Sequence, residues 1–205
     1  MLPAAEALEC LREGNRRFAA NKPAQRVDVE ARRRQLTGGQ EPFAIILGCS
    51  DSRVPAEIVF DQGLGNLFVI RVAGNIVRPS QIGSIEFGAL EFGTRLVIVL
   101  GHSHCGAVGT AVKELQEPAD GFSDNIGVIV DFIRPSLEPL LEQAPGGDPA
   151  AVIEQAVRAN VLASAEELRR GSSIIREMER DDGLLIVGAE YSFETGLVDF
   201  FDGAP

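Results

Sequence analysis

Short, almost unbroken apolar runs alternate along this chain with amphipathic stretches. Phe43–Leu47 (FAIIL), Leu67–Val72 (LFVIRV), Leu96–Leu100 (LVIVL) and Leu184–Val187 (LLIV) are too short for helices and rich in β-branched residues. Such runs predict strands buried on both faces, the habit of a parallel sheet. Gly48 and Gly101 close two of them, and Gly196–Phe201 predicts a fifth strand. Between them the period lengthens. Ala4–Ala20 predicts a surface helix whose apolar stripe is Leu8, Leu11 and Phe18. Asn21–Val27 is a polar connection, and Val29–Leu36 predicts a short helix stopped by Gly38–Gly39. Ser80 is the expected cap of a helix reaching Phe92. Gly146–Gly147 reads as a turn between helices. Asp148–Pro149 then sets a capping residue before a proline at the first helical position. The helical stretch that follows runs to about Arg180, with Ile153, Val157 and Val161 four residues apart and a break expected at Gly171-Ser172-Ser173.

Strands alternating with helices predict an α/β fold: a mostly parallel central sheet flanked by helices. One domain over residues 1–205 is expected, with a helical arm at about 4–36 and an α/β core at about 43–201. The 205 residues are 45% hydrophobic and 24% charged, enough to bury a core without disulfide staples. Three cysteines, an odd count, argue against a disulfide framework.

Charge narrows the partners. A formal net charge of −11 opposes nucleic-acid binding and attraction to an anionic membrane. No apolar run approaches the roughly 20 residues that span a bilayer. The first helix carries Glu6, Glu9 and Glu13, unlike a signal peptide, so a cytoplasmic location is expected, or a periplasmic one had a leader been removed.

Cysteine and histidine are scarce, so their positions carry information. Cys49 follows the first strand, and His102 and Cys105 follow the third, within Gly-His-Ser-His-Cys-Gly (101–106). Both places are C-terminal ends of parallel strands, where open α/β sheets form their ligand crevice. Two cysteines and one histidine are a known catalytic zinc set that leaves the fourth tetrahedral position for water or substrate. Taken singly, each would be an ordinary small buried residue; converging at neighbouring strand ends, they predict a metal site. Cys49 opens Cys-Ser-Asp-Ser-Arg, so Asp51 and Arg53 are placed to form a bidentate ion pair beside it. Two thiolates offset the charge of zinc and weaken it as a Lewis acid. A carboxylate that orients and helps deprotonate water compensates, and an arginine holds that carboxylate. Other chemistries are excluded. Pro55 stands where a Cys-X5-Arg phosphatase loop needs arginine, and the chain has no P-loop, no dinucleotide fingerprint and no Cys-X-X-Cys.

The stretches CSDSRVPAEIVFDQGLGNLFVIRVAGN (49–75) and GHSHCGAV (101–108) resemble the beta-class carbonic anhydrases, over about Ala4 to Phe201. The resemblance implies a zinc ion (Zn2+) on Cys49, His102 and Cys105, and a catalytic pair in Asp51 and Arg53. It implies substrate contacts from Gln40 and from the backbone at Gly106, and an apolar carbon dioxide pocket lined by Phe68, Ala73 and Phe87. The implied reaction is reversible hydration of carbon dioxide to bicarbonate by zinc-bound hydroxide, in a homodimer or larger homo-oligomer with sites at the dimer interface. Carbonyl sulfide or carbon disulfide hydrolysis on the same site is the enzymatic alternative. A non-catalytic zinc-binding scaffold is the other. His104 is either a proton shuttle or a histidine that packs beside the site. Some members of this family are regulated by bicarbonate through a Trp-Arg-Tyr set. Here those positions hold Ile46, Arg71 and Phe87, so that regulation is expected to be missing, with Asp51 staying on Arg53.

Overall fold

The structure is a computed structural model that describes residues 2–24, 28–116, 123–143 and 149–205. Its sheet has five strands, β1 (Ala44–Gly48), β2 (Leu67–Arg71), β3 (Leu96–His102), β4 (Leu185–Tyr191) and β5 (Val198–Asp202), in the order β2-β1-β3-β4-β5. The first four run parallel, and β5 closes one edge antiparallel to β4. Every residue of β1 and β3 is buried, as their unbroken apolar sequences require.

The two-residue period of the strands divides the core between two faces. Ile46, Ile98 and Val187 are in register across the sheet. They share a cluster with Leu8 and Leu11 of α1 (Ala4–Ala19) and with Phe60, which follows the short helix α3 (Ala56–Val59). Ile45, Leu47, Val97 and Val99 point the other way, towards α4 (Pro79–Glu91), α7 (Pro149–Gly171) and α8 (Ser173–Asp181). A third cluster joins Cys49 and Cys105 to α5 (Gly106–Gln116), α6 (Asp124–Gln143) and α7. The arm is completed by α2 (Val29–Gln35), capped by the Asp28 carboxylate on the amides of Glu30 and Ala31. Buried Asn15 fastens α1 to the rest. Its Nδ2 donates to the carbonyls of Val59 (3.2 Å) and Gly196 (3.0 Å), and its Oδ1 accepts from the Val198 amide (2.8 Å). Among the described residues no helix is long and apolar enough to cross a membrane.

The five strands stand where the apolar runs place them, with informative differences. The fourth run extends to Tyr191 because Arg158 of α7 meets the buried Glu190 carboxylate at 2.8 Å and Asp199 of β5 at 2.6 Å. Ser80 is not the cap of α4. Pro79 occupies the first helical position and Arg78 flanks it, which suits a residue with a preset φ and no N–H. The break between α7 and α8 falls at Ser172, whose Oγ accepts from the Ile175 amide (3.0 Å) and donates to Glu86 (2.5 Å). The expected cap at Asp148, the Gly146–Gly147 turn and the end of the Asn21–Val27 connection lie outside the described residues. Helices α5 and α6 carry no forecast from periodicity. Pro135 and Pro139 sit inside α6 and argue locally against a helix, but fully buried Ile133 and Leu137 bind it to Ala156 and Val157 of α7.

Candidate metal centre

Gly48 at the end of β1 pairs with Leu100 of β3, so the residues leaving these two strands emerge side by side. Cys49, His102 and Cys105 converge there, with their ligand atoms all within 4.8 Å of one another and all three side chains buried. Each position has a local cause. Cys49 leaves β1 under the turn after β2, where the Gly74 amide donates to Cys49 Sγ at 3.3 Å. Gly74 itself has φ +70°, and a Cβ there would lie 2.8 Å from Ile133 Cδ1, so a side chain would be strained and would displace Ile133. Its carbonyl accepts from buried Asn160 at 2.8 Å, which ties the turn to α7. Cys105 immediately precedes α5, so its sulfur lies at the N-terminal end of that helix.

The donor set is poised for a cation. The Nδ1 of His102 lies 2.9 Å from the Ser103 carbonyl, so this nitrogen carries the proton and leaves a lone pair on Nε2. That Nε2 is buried and has no hydrogen-bond partner among the described residues. An orphaned buried nitrogen facing two cysteine sulfurs fits a metal ligand and is costly as anything else. The sulfurs share a proton unequally. The hydrogen bond from Cys105, the adjacent His102 ring and the Gly74 amide bring the Cys49 pKa down to about 4, against the burial that raises it. The same contact, together with burial, pushes Cys105 upward. Burial pulls His102 down, but the Cys49 contact and the Ser103 carbonyl hold it above its ordinary value. The site thus stabilises one thiolate unaided, and a divalent cation would displace the remaining thiol proton.

Asp51 and Arg53 form the forked pair their spacing predicts. Arg53 Nε donates to Oδ1 (2.9 Å), Nη2 donates to Oδ2 (2.7 Å), and the Arg53 main-chain amide adds a third bond to Oδ1 (3.0 Å). These bonds hold the Asp51 carboxyl far below the usual carboxylate range. Its Oδ2 lies 3.9 Å from His102 Nε2, beside the donor set and still on the arginine. Arg71 braces the loop, donating to the carbonyls of Cys49 (2.9 Å) and Asp51 (2.5 Å).

The remaining positions of interest divide. Ala73 adjoins the Gly74 turn, and Gly106 opens α5, where a Cβ would meet nothing within 4 Å. Gln40 is exposed on the segment before β1. Phe68 pairs with Ile45, four residues short of Cys49 along the sheet, or roughly 13 Å at about 3.3 Å per residue. Its ring meets Phe87 (6.2 Å between centroids) and Phe92 (5.7 Å), and Phe87 is 53% exposed. His104 is turned outward at φ +54°, its Nε2 2.5 Å from Glu194. A cavity of about 470 Å³ between α6 and α7, lined by Ile76, Val77, Phe132, Asn160 and Ser164, contains none of the donor residues.

Asn160, Phe193 and Glu194 escape sequence reasoning. Only the register that pairs His102 with Tyr191 brings the turn after β4 to the site, and no spacing signal announces it.

A parallel sheet whose strand ends present two cysteine sulfurs and an imidazole, with a forked carboxylate alongside, is an α/β fold carrying a group that could hold a metal ion. The carbonic anhydrase family profile matches residues 44–198. Carbonic anhydrase 2 of Mycobacterium tuberculosis is 37% identical over 193 residues, covering 93% of this chain and 89% of that protein. The beta-carbonic anhydrase CafA of Aspergillus fumigatus shares the fold at a TM-score of 0.76 and 23% identity, over 97% of this chain and 92% of that one. A tetrameric beta-carbonic anhydrase of Sordaria macrospora does so at 0.72 and 23%, over 96% and 98%. The chain belongs to the beta-carbonic anhydrases, a family of lyases.

Proposed function

We propose that this chain hydrates carbon dioxide reversibly to bicarbonate and a proton, with zinc held by Cys49, His102 and Cys105. The observation that carries the reading is the orphaned Nε2 of His102, buried against two cysteine sulfurs with an arginine-locked carboxylate beside it. Sulfur and imidazole donors suit zinc. Bound there, zinc supplies Lewis acidity and lowers the pKa of a water from about 15.7 towards 7.

The chain's own residues do the rest. Both lone pairs of Asp51 Oδ1 are taken by Arg53. Among the described residues Oδ2 receives only the Nη2 proton, so one lone pair is open to accept a hydrogen bond from the reacting water. Arg53 keeps that carboxylate ionised and turned towards the donor set. The missing side chain at Gly106 leaves open space beside Cys105 for a small substrate. Phe68 stands roughly 13 Å along the sheet from Cys49 and packs on Phe87, and we assign both, with the exposed Gln40, to a pocket completed by a second copy. The exposed Phe87 and Leu90 of α4, beside the edge strand β2, support a homodimer or larger assembly, as does the fold shared with a tetrameric enzyme.

Bicarbonate regulation is expected to be missing. Ile46 is fully buried in β1, and the Arg71 guanidinium is engaged by the Cys49 and Asp51 carbonyls. A crystal structure of the zinc-loaded protein near pH 7 should therefore show Asp51 still on Arg53, and Asp51 ligating zinc would contradict this. The substrate is tested by running carbon dioxide hydration and the hydrolysis of carbonyl sulfide and of carbon disulfide on one zinc-loaded sample. Faster hydration supports the proposal. The reverse order transfers it to carbonyl sulfide or carbon disulfide, and inactivity towards all three leaves a zinc-binding scaffold.

A further inference from the structure

We propose that Phe193, in the turn between β4 and β5, is a positioning residue for Arg53, its ring face being the seat that keeps the guanidinium forked onto Asp51. The inference rests on the reading of Asp51 and Arg53 as the working pair and adds what holds that pair in place.

Arg53 is 55% exposed, and a long exposed side chain does not stay in one rotamer because an acid is nearby. Its guanidinium carbon stands 4.2 Å from the Phe193 ring centroid, a cation–π distance. The ring is itself fixed. It meets the His102 imidazole edge-on at 5.4 Å and the Tyr191 ring at 5.3 Å. The Phe193 amide donates to Ser103 Oγ at 3.0 Å. The next residue, Glu194, accepts from Ser103 Oγ (3.2 Å) and holds the His104 ring, while the His104 carbonyl takes a second, longer bond from Arg53 Nη2 (3.4 Å). Among the described residues, the two contacts of Arg53 outside Asp51 and its loop are thus supplied or steadied by one turn. That turn is clamped from the far side by Asn15, which bonds Gly196 and Val198. A single phenyl ring links a metal-ligand candidate to the arginine that orients the carboxylate.

Phe193→Leu keeps apolar bulk and removes the aromatic face, and Phe193→Tyr keeps both. The readouts are kcat and KM for hydration, zinc per chain, and the Nε–H signal of Arg53 in arginine-¹⁵N protein, identified by its loss in Arg53→Lys. Phe193→Leu is expected to lower kcat about 5–20-fold with KM within about twofold, with zinc unchanged and the Nε–H signal shifted or broadened. Phe193→Tyr should restore both kcat and signal. Should Phe193→Leu not fold, Phe193→Met serves in its place. Wild-type kcat with an unmoved signal in the leucine or methionine variant overturns the proposal, and so does a tyrosine variant as impaired as leucine. Were the wild-type protein inactive towards carbon dioxide, the functional reading would fail while the Nε–H signal still decided whether Phe193 seats Arg53.

Discussion

Cys49→Ala is expected to yield folded protein that holds almost no zinc and does not hydrate carbon dioxide. The sulfur it removes is one corner of a donor set spanning less than 4.8 Å, and neither other corner can compensate. Cys105 depends on Cys49 as the acceptor of its thiol proton, and His102 loses the neighbour that holds its pKa up. Zinc should fall from about one per chain to below about 0.1, with hydration down at least about 10³-fold. Truncation at this site also removes only one buried atom at the end of β1, so the melting temperature of the metal-free proteins should differ little. Cys10→Ala is the control. Cys10 lies on α1, outside the donor set, and its loss should leave zinc and rate unchanged. Metal analysis beside stopped-flow hydration reads all of this in two samples.

Asp51→Asn carries the second large effect and separates metal binding from catalysis. The substitution keeps shape and removes charge, so the remaining hydrogen bonds still order the loop while Oδ2 no longer works as a base. A fall in kcat of about 10²–10⁴-fold is expected, with zinc retained and KM little changed. The pH dependence follows from the Arg53 fork, whose hydrogen bonds depress the Asp51 pKa. A carboxyl depressed on folding adds stability above its unfolded pKa of about 3.9, and loses it only as pH falls further through the folded value. Asp51 is therefore ionised throughout any neutral or alkaline assay. An ionisation seen near neutrality in the rate of the wild type is not that of Asp51, and it should survive in the residual rate of Asp51→Asn. Loss of zinc in that variant, or a rate like the wild type, would contradict the assigned role.

Much of the centre was legible because its residues lie just after strands that read clearly as buried runs. Ile45–Leu47 and Val97–Leu100 have no polar alternation, which fixes them as central parallel strands and sets Cys49 and His102 at neighbouring ends. The Asp51–Arg53 fork is local, formed within two residues, and so is visible in spacing alone. The break near Ser172 was legible because Gly171-Ser172-Ser173 is a short-range breaker signal, whereas the cap Ser172 places on the Ile175 amide was not read. The parts that stayed hidden depend on long-range packing. Helix α6 contains two prolines, and its burial against α7 overrides a local signal that points the other way. The polar end of β4 is buried because Arg158, from a distant helix, satisfies Glu190. Phe193 reaches Arg53 only through the register of β3 with β4, which no spacing in the sequence encodes. Phe68 is the converse case: the resemblance expects it to line a pocket, and within one chain it stands roughly 13 Å along the sheet from Cys49.

The central claim is that zinc on Cys49, His102 and Cys105 gives this chain carbon dioxide hydration with Asp51 and Arg53 as its working pair. Stopped-flow hydration by zinc-loaded protein from about pH 6.5 to 9 tests it most directly. A fast rate that climbs with pH through one ionisation and disappears when zinc is removed by a chelator is the expected result. A zinc-loaded protein whose rate equals that of its metal-free form at every pH would contradict it.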